Sequence, residues 1–353
     1  MKLFETIKEM GHEQVLFCYD KDSDVKAIIA IHSTVLGPAM GATRLLPYKS
    51  EEDALRDVLR LSRGMTYKAA CANIPSGGGK AVIIANLEDK TDELLRAYGR
   101  FVESLKGRFI TGQDMNISPE DVRTIGQETK HVVGVSEKAG GPAVTTAIGV
   151  FLGIKAAVEF KLPNKDLNKI RIAVQGAGNV GKNLCDQLHK HGVEIFVTDM
   201  KKEKAEEIKK LYGATVVEPN EIYSLDVDVF APCAMGGILN STTIPQIKAN
   251  IIAGAANNQL EDEQVHSKLL ESRDVLYAPD YVINAGGLIN VYNEMINSDD
   301  QHALQQLQNI YESLNSIFKK AKDQGVTTYE AAKLLGDERI RKAKDLKLMN
   351  KSN

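Results

Sequence analysis

Residues 170–181, IRIAVQGAGNVG, set Gly176, Gly178 and Gly181 in a GxGxxG spacing directly after an apolar run and at the start of the helical stretch NVGKNLCDQLHKHG. A strand that turns at once into a helix through this spacing opens a parallel crossover unit, which commits its surroundings to a sheet with helices on both faces. The flanking sequence agrees: short apolar runs recur at 170–175, 194–199, 214–219, 227–233, 250–256 and 274–280, spaced as parallel strands joined by helices or loops. The first two glycines permit a tight turn and close approach of the backbone to a pyrophosphate seated on the helix N-terminus, where Asn179 and Val180 begin. Gly181 lets helix and strand pack closely. Asp199 closes the next run, EIFVTD, about twenty residues on, where a carboxylate accepts hydrogen bonds from adenosine ribose hydroxyls and repels a 2′-phosphate. The expected cofactor is NAD rather than NADP, and Lys201 and Lys202 read as exposed lysines at a helix start.

A second unusual stretch, MTYKAACANIPSGGGKAVI at 65–83, carries Lys68 and Lys80 on either side of Gly77, Gly78 and Gly79. Leu55, Val58, Leu59, Met65 and Ala69 recur at helical spacing, which puts Lys68 near the end of a helix over about 51–70. Lys80 opens the apolar run AVIIAN, a buried strand at 81–86. The glycines between are expected to give backbone freedom and open space over the main chain, the floor of a cleft. Two ammonium groups brought together disfavour each other's protonation, and burial acts in the same direction, so one lysine can serve as a neutral base while the other holds a carboxylate.

The chain has 353 residues, enough for two domains. The first part alternates strands (14–20, 25–33, 81–86, 107–112) with helices (51–70, 91–106), an α/β domain with a mixed sheet whose first two strands form a hairpin. Asp114 lies just past the strand at 107–112, where open α/β sheets place their chemistry. Gly140, Gly141 and Pro142 mark a boundary, followed by a helix from near Thr145. The expected plan is a substrate and oligomerisation domain over 1–139, completed by helices at 326–353. A doubly wound Rossmann domain for the dinucleotide spans 140–325, with a cleft between the two that closes to exclude water. A long amphipathic helix is expected from 300, and a frayed tail at 344–353.

A formal charge of −3 gives no global attraction to nucleic acid or an anionic membrane. Cys18, Cys71, Cys185 and Cys233 are scattered in apolar runs without CxxC spacing and read as reduced core residues. The seven histidines form no metal-ligand pattern. The N-terminus has no secretory apolar core, which predicts a cytoplasmic protein.

With the two lysines, the glycine fingerprint, GAANNQL (254–260) and YAPDYVINAGGLINV (277–291), the chain resembles the Glu/Leu/Phe/Val dehydrogenase family over nearly its whole length. It is most similar to the leucine and phenylalanine dehydrogenase branch, and GPAMGATR (37–44), ANIPSGGGK and GRFITGQD look like tryptophan dehydrogenases. The resemblance implies reversible NAD-dependent oxidative deamination of an L-amino acid to a 2-oxo acid and ammonium by a homo-oligomer. It implies that Lys68, helped by Asn258, binds the substrate carboxylate, that Lys80 activates water, and that Asp114 exchanges protons with the amino group. Met40, Gly41 and Ala42 would line the same site, with Gly112, Leu288 and Val291 around the substrate side chain. Thr146 and Asn284 would lie at the nicotinamide, and Asn284 and Gly286 begin a helix that covers it.

The chain departs from its relatives' pattern in places. Ala143, Val144 and Thr145 stand where many relatives carry Ser-Pro-Val, and Gln113 replaces an acidic neighbour of Asp114. Gly112 and Leu288 stand where leucine dehydrogenases have Ala and Val, a pair resembling a phenylalanine pocket, so an aromatic substrate is expected and leucine is the alternative. An NAD-binding regulatory protein without catalysis is the third reading.

Overall fold

A computed structural model describes residues 3–135 and 140–349. The chain forms two compact units, one of residues 1–137, 294–297 and 336–353, the other of residues 138–293 and 298–335. The boundary expected at 139 falls among residues 136–139, outside the described residues.

In the first unit the order is α1 (Leu3–Met10), β1 (Gln14–Asp20), β2 (Val25–Ser33), β3 (Ala39–Met40), β4 (Thr43–Leu46), α2 (Glu51–Ala72), β5 (Gly77–Ile84), α3 (Asp92–Ser104), β6 (Phe109–Ile110) and α4 (Pro119–Ile125). The sheet runs β1-β2-β5-β3-β6, with β4 also beside β5. It is mixed: β1 and β2 form an antiparallel hairpin, β2 and β5 are antiparallel, and β3 and β4 lie parallel to β5. β2 is apolar almost throughout because both of its faces are covered. Ile29 and Ile31 point into the core with α3 and α4, whereas Ile28 and Ala30 face Leu55 and Leu59 of α2.

The second unit contains α5 (Gly141–Lys161), β7 (Arg171–Gln175), α6 (Asn179–Lys190), β8 (Glu194–Thr198), α7 (Lys202–Tyr212), β9 (Thr215–Val216), β10 (Val229–Pro232), β11 (Ile251–Ile252), α8 (Glu263–Ser272), β12 (Leu276–Tyr277), α9 (Asp280–Ile283), α10 (Gly286–Met295), α11 (Asp300–Gln306), α12 (Gln308–Gln324) and α13 (Thr328–Met349). Glu294–Asn297 and the part of α13 from Gly336 cluster with the first unit. The six strands are all parallel in the order β12-β11-β10-β7-β8-β9, a doubly wound sheet that reverses direction between β7 and β10. α5 is long and apolar enough to cross a membrane, but it packs against α6 and α12 as the core helix of this unit. Gly149 and Gly153 admit Ile310, Ile283 and Leu314 against its backbone.

Four expectations need correction. β5 begins at Gly77 rather than at 81, so the three glycines are strand residues with extended backbone rather than a freely jointed lead-in to the strand. α5 begins at Gly141, not near Thr145, because Gly140 in the left-handed region (φ 80°) and Pro142 in the first turn start the helix there. The long helix expected from 300 breaks at Leu307 into α11 and α12. The tail is helical to Met349, with Lys347 Nζ donating to the Thr34 carbonyl at 3.1 Å; residues 350–353 lie outside the described residues.

Candidate active site

The first unit gathers a set of charges behind β5. The strand segment 39–46 runs between β5 and residues 108–115, its amides donating to the carbonyls of Arg108, Ile110, Gly112 and Met115 at 2.9–3.0 Å. That ladder brings Asp114 beside Lys80, and the two form an ion pair. Lys80 is only 6% exposed. Burial pulls its ammonium below the ordinary lysine range, Asp114 opposes this, and the neighbouring Arg44 adds to it. For Asp114 burial pushes the other way, but Lys80 and Arg44 outweigh it and hold the carboxyl below its usual range. The result is a lysine disposed to give up its proton beside a carboxylate disposed to keep its charge.

The glycines of β5 do not leave the open floor expected of them. A Cβ on Gly77 would stand 2.1 Å from the Ser33 carbonyl oxygen, one on Gly78 2.1 Å from the Thr66 nitrogen, and one on Gly79 2.7 Å from the Phe109 ring. Their missing side chains let β2, α2 and β6 close on β5, which packs α2 tightly at Thr66, two residues before the half-buried Lys68. Gly41 obeys the same constraint, since its Cβ would meet the Gly79 carbonyl oxygen at 1.6 Å, so the Gly41–Ala42 backbone lies directly against Gly79 and Lys80. Met40 is buried in register with Gly78 and Ile110. Gly112 also differs from the simple reading: a Cβ there would lie 2.8 Å from the Val133 carbonyl oxygen. The absent methyl first makes room for the 132–135 segment, and through that segment for whatever lies beyond.

The sequence reading missed two supports. Arg44 Nε donates to Asp114 Oδ2 at 3.2 Å and Nη1 to Asp57 Oδ2 at 3.1 Å; the same Asp57 oxygen accepts from the Tyr48 hydroxyl at 2.6 Å. Glu294 accepts from the amides of Gly134 (2.9 Å) and Val135 (3.2 Å), fixing the segment that faces Gly112. Arg44 lies within GATR, but nothing local announces that its partners are on a helix and on a loop seventy positions away.

In the second unit the loops at the carboxyl ends of the strands converge. Gly176 takes φ 107°, and a Cβ on Gly181 would stand 2.0 Å from its carbonyl oxygen, which seats the start of α6 against the turn. Among the described residues, nothing beyond its chain neighbours lies within 4 Å of a Cβ position on Gly178 and no side chain caps α6, so the first amides of the helix, at the exposed Asn179 and half-buried Val180, present an uncapped positive end. Asp199 accepts from the amides of Ala177 and Lys201, each at 2.8 Å, which holds its carboxylate beside the glycine turn. Lys201 and Lys202 are exposed at the start of α7. These features fit a dinucleotide: an open anion cradle with a fixed acceptor at its side.

Thr146 donates to the Pro142 carbonyl at 2.6 Å, and its hydroxyl lies near Gly287 at the start of α10. Asn284 donates to Asn257 Oδ1 at 2.6 Å and to the Ala255 carbonyl at 3.1 Å. Asn258 takes φ 50° in the same loop, its carbonyl accepting from Gly237 at 2.7 Å. Leu288 is buried and Val291 half-buried on α10. Lys68, Lys80, Asp114 and Gly112 thus belong to the first unit, whereas Asn258, Leu288, Val291 and the dinucleotide residues belong to the second.

Comparison with known proteins gives concordant findings. Residues 12–137 match the family described as Glu/Leu/Phe/Val dehydrogenase, dimerisation domain, and residues 196–347 match Glutamate/Leucine/Phenylalanine/Valine dehydrogenase. L-tryptophan dehydrogenase of Nostoc punctiforme is 70% identical over 344 residues, covering 98% of each chain. Leucine dehydrogenase of Geobacillus stearothermophilus is 46% identical over 357 residues, covering 99% of this chain and 97% of its own. The crystal structure of L-tryptophan dehydrogenase from Nostoc punctiforme superposes with a TM-score of 0.90 at 68% identity, covering 97% of this chain and 99% of that one.

Proposed function

The chain belongs to the Glu/Leu/Phe/Val dehydrogenase family, and from that premise we propose that it carries out the reversible NAD-dependent oxidative deamination of a large apolar L-amino acid, with aromatic side chains preferred and tryptophan first among them. The observation that carries the chemistry is the buried Lys80–Asp114 pair. Taken forward, the reaction converts amino acid, water and the oxidised cofactor to 2-oxo acid, ammonium and the reduced cofactor, with release of one proton. Bound NAD supplies the acceptor for the hydride leaving the substrate Cα.

The protein's own residues do the rest. Lys68, with Asn258, binds the substrate carboxylate, while the backbone at Gly41 and Ala42, backed by Met40, lines the site. Loss of hydride leaves a cationic iminium, which the Asp114 carboxylate stabilises and an ammonium on Lys80 would oppose. Lys80 therefore acts as the free amine, taking a proton from the attacking water and later returning it to the leaving amine, while Asp114 exchanges protons with the amino group. The turn at Gly176, whose own amide donates to the Thr198 carbonyl, and the amides at Gly178, Asn179, Val180 and Gly181 would hold the pyrophosphate, Asp199 would hold the adenosine ribose, and Thr146 and Asn284 would lie at the nicotinamide. The ribose contact at Asp199 favours NAD over NADP.

The 70% identity to an L-tryptophan dehydrogenase supports the aromatic reading. A branched-chain substrate is the second reading, favoured by the direction of the Gly112 Cβ, which points at the Val133 carbonyl oxygen. Homo-oligomerisation is placed on the first unit, which the dimerisation-domain description of residues 12–137 supports. The proposal includes no nucleic-acid or membrane partner and a cytoplasmic location. Steady-state rates on tryptophan, phenylalanine and leucine, followed by NADH absorbance, test it. A clear leucine preference overturns the aromatic assignment, and no NADH formation with any apolar amino acid overturns the dehydrogenase itself.

A further inference from the structure

The charges behind Lys80 pose a problem that the roles above do not solve. As proposed, the reaction needs Lys80 without its proton and Asp114 with its charge, within a hydrogen bond of each other. An isolated buried Lys–Asp pair resists that state, because removing the lysine proton strips the carboxylate of the only cation compensating its burial. Here a second cation is built in. Arg44, on β4, donates through Nε to the same Oδ2 of Asp114 that pairs with Lys80, and through Nη1 to Asp57 on α2. Tyr48 donates to that same Asp57 oxygen. Arg44 and Asp114 are each about four-fifths shielded from solvent, so their interaction escapes much of the screening that weakens surface pairs.

We propose that Arg44 is a positioning residue of this site, a permanent cation that keeps Asp114 a carboxylate while Lys80 is the free amine, with Asp57 and Tyr48 fixing the orientation of its guanidinium. A guanidinium is suited to this because it stays charged throughout the working pH range and its planar fork reaches two carboxylates at once. The charged groups acting on Lys80 are Asp114 from the segment after β6, Arg44 from β4 and Asp57 from α2; Lys68 lies on that same helix. Their signs are consistent: burial lowers the affinity of Lys80 for its proton, Arg44 lowers it further, and Asp114 and Asp57 raise it. Tyr48 is held protonated, its phenol raised by burial and by Asp57, and so remains a donor.

The inference rests on Lys80 acting as the base. Its test is the pH dependence of kcat/KM for the amino acid at saturating NAD, whose acidic limb reports the free-enzyme base. Arg44→Met is expected to move that limb upward by about one pH unit or more and to lower kcat/KM at pH 7 by about tenfold or more. Arg44→Lys keeps the charge and is expected to restore the limb to within a few tenths of a unit. Asp57→Asn removes a carboxylate while leaving the guanidinium, and is expected to move the limb the other way. Opposite shifts from the two sites are what a merely structural role does not produce. If both variants lower the rate at every pH with the limb in place, Arg44 is only scaffolding and the proposal is overturned. Should Arg44→Met fail to fold, the Asp57→Asn profile decides the same question: a limb moved downward supports the charge network, and a limb left in place overturns the proposal. An acidic limb that survives Lys80→Ala unchanged instead defeats the base assignment, and the proposal with it.

Discussion

Lys80 owes its chemistry to position: the same ammonium on the surface would be an ordinary solvated charge, whereas here the sheet has removed it from water and set it against Asp114. Replacing it with alanine should reduce turnover by about 10²–10⁴-fold while leaving NAD affinity, read by fluorescence titration, unchanged. Unaltered turnover would remove Lys80 from the mechanism. Asp199→Ala should weaken NAD and narrow the gap to NADP, because the carboxylate that repels a 2′-phosphate is gone. A cofactor preference that stays put would deny Asp199 that role. Both residues stand out in the sequence as candidates because each stands at a local landmark, one after a glycine run and the other at the end of a strand. Arg44 was not, since its meaning comes from partners at positions 57 and 114 that only the fold assembles. Glu294 is hidden for the same reason, 160 positions from the Gly134 amide it accepts from.

Among elements, β5 shows how one composition can signal two different things. Three successive glycines read locally as free backbone with open space above it, yet in the sheet they are the places where neighbouring elements come closest. Gly79→Ala would press a methyl to 2.7 Å from Phe109, a ring that is itself fully buried. It should cost about 1–3 kcal/mol, measured as a lower urea midpoint with unchanged slope; an unshifted midpoint would mean that the ring yields freely. The buried hydroxyls of Thr43, Tyr98 and Thr111, linked at 2.5–2.6 Å, further tie β4 to α3 and the end of β6, supporting the strand that carries Arg44. Strand and helix existence followed from apolar periodicity. Their ends did not, because Gly140, Leu307 and the glycines of β5 act through packing and backbone conformation rather than through apolar spacing.

For the molecule as a whole, stability should fall in acid for a reason lodged beneath α2. His12 is buried there, its Nε2 near Ser62 Oγ at 2.8 Å and the Leu59 carbonyl at 3.2 Å, and burial with the adjacent His32 lowers its pKa to about 4. The unfolded chain, with an ordinary histidine near 6.5, takes up this proton first. The contribution is therefore present in full above pH 6.5 and is lost as pH falls toward 4, by up to about 3 kcal/mol. Denaturant titrations across that range should show the slope, and His12→Gln should flatten it; equal slopes in the two proteins would exclude His12 as the cause. The sequence by itself determined the parallel sheet of the second unit and the mixed sheet of the first, and it marked the candidate residues of the proposed chemistry, because strand periodicity, the glycine fingerprint and the flanking lysines are local patterns. Only the tertiary structure decided which lysine sits beside Asp114, that Arg44 stands behind the pair, and that the β5 glycines serve packing, because burial, charge proximity and backbone approach are properties of neighbours that are distant along the chain.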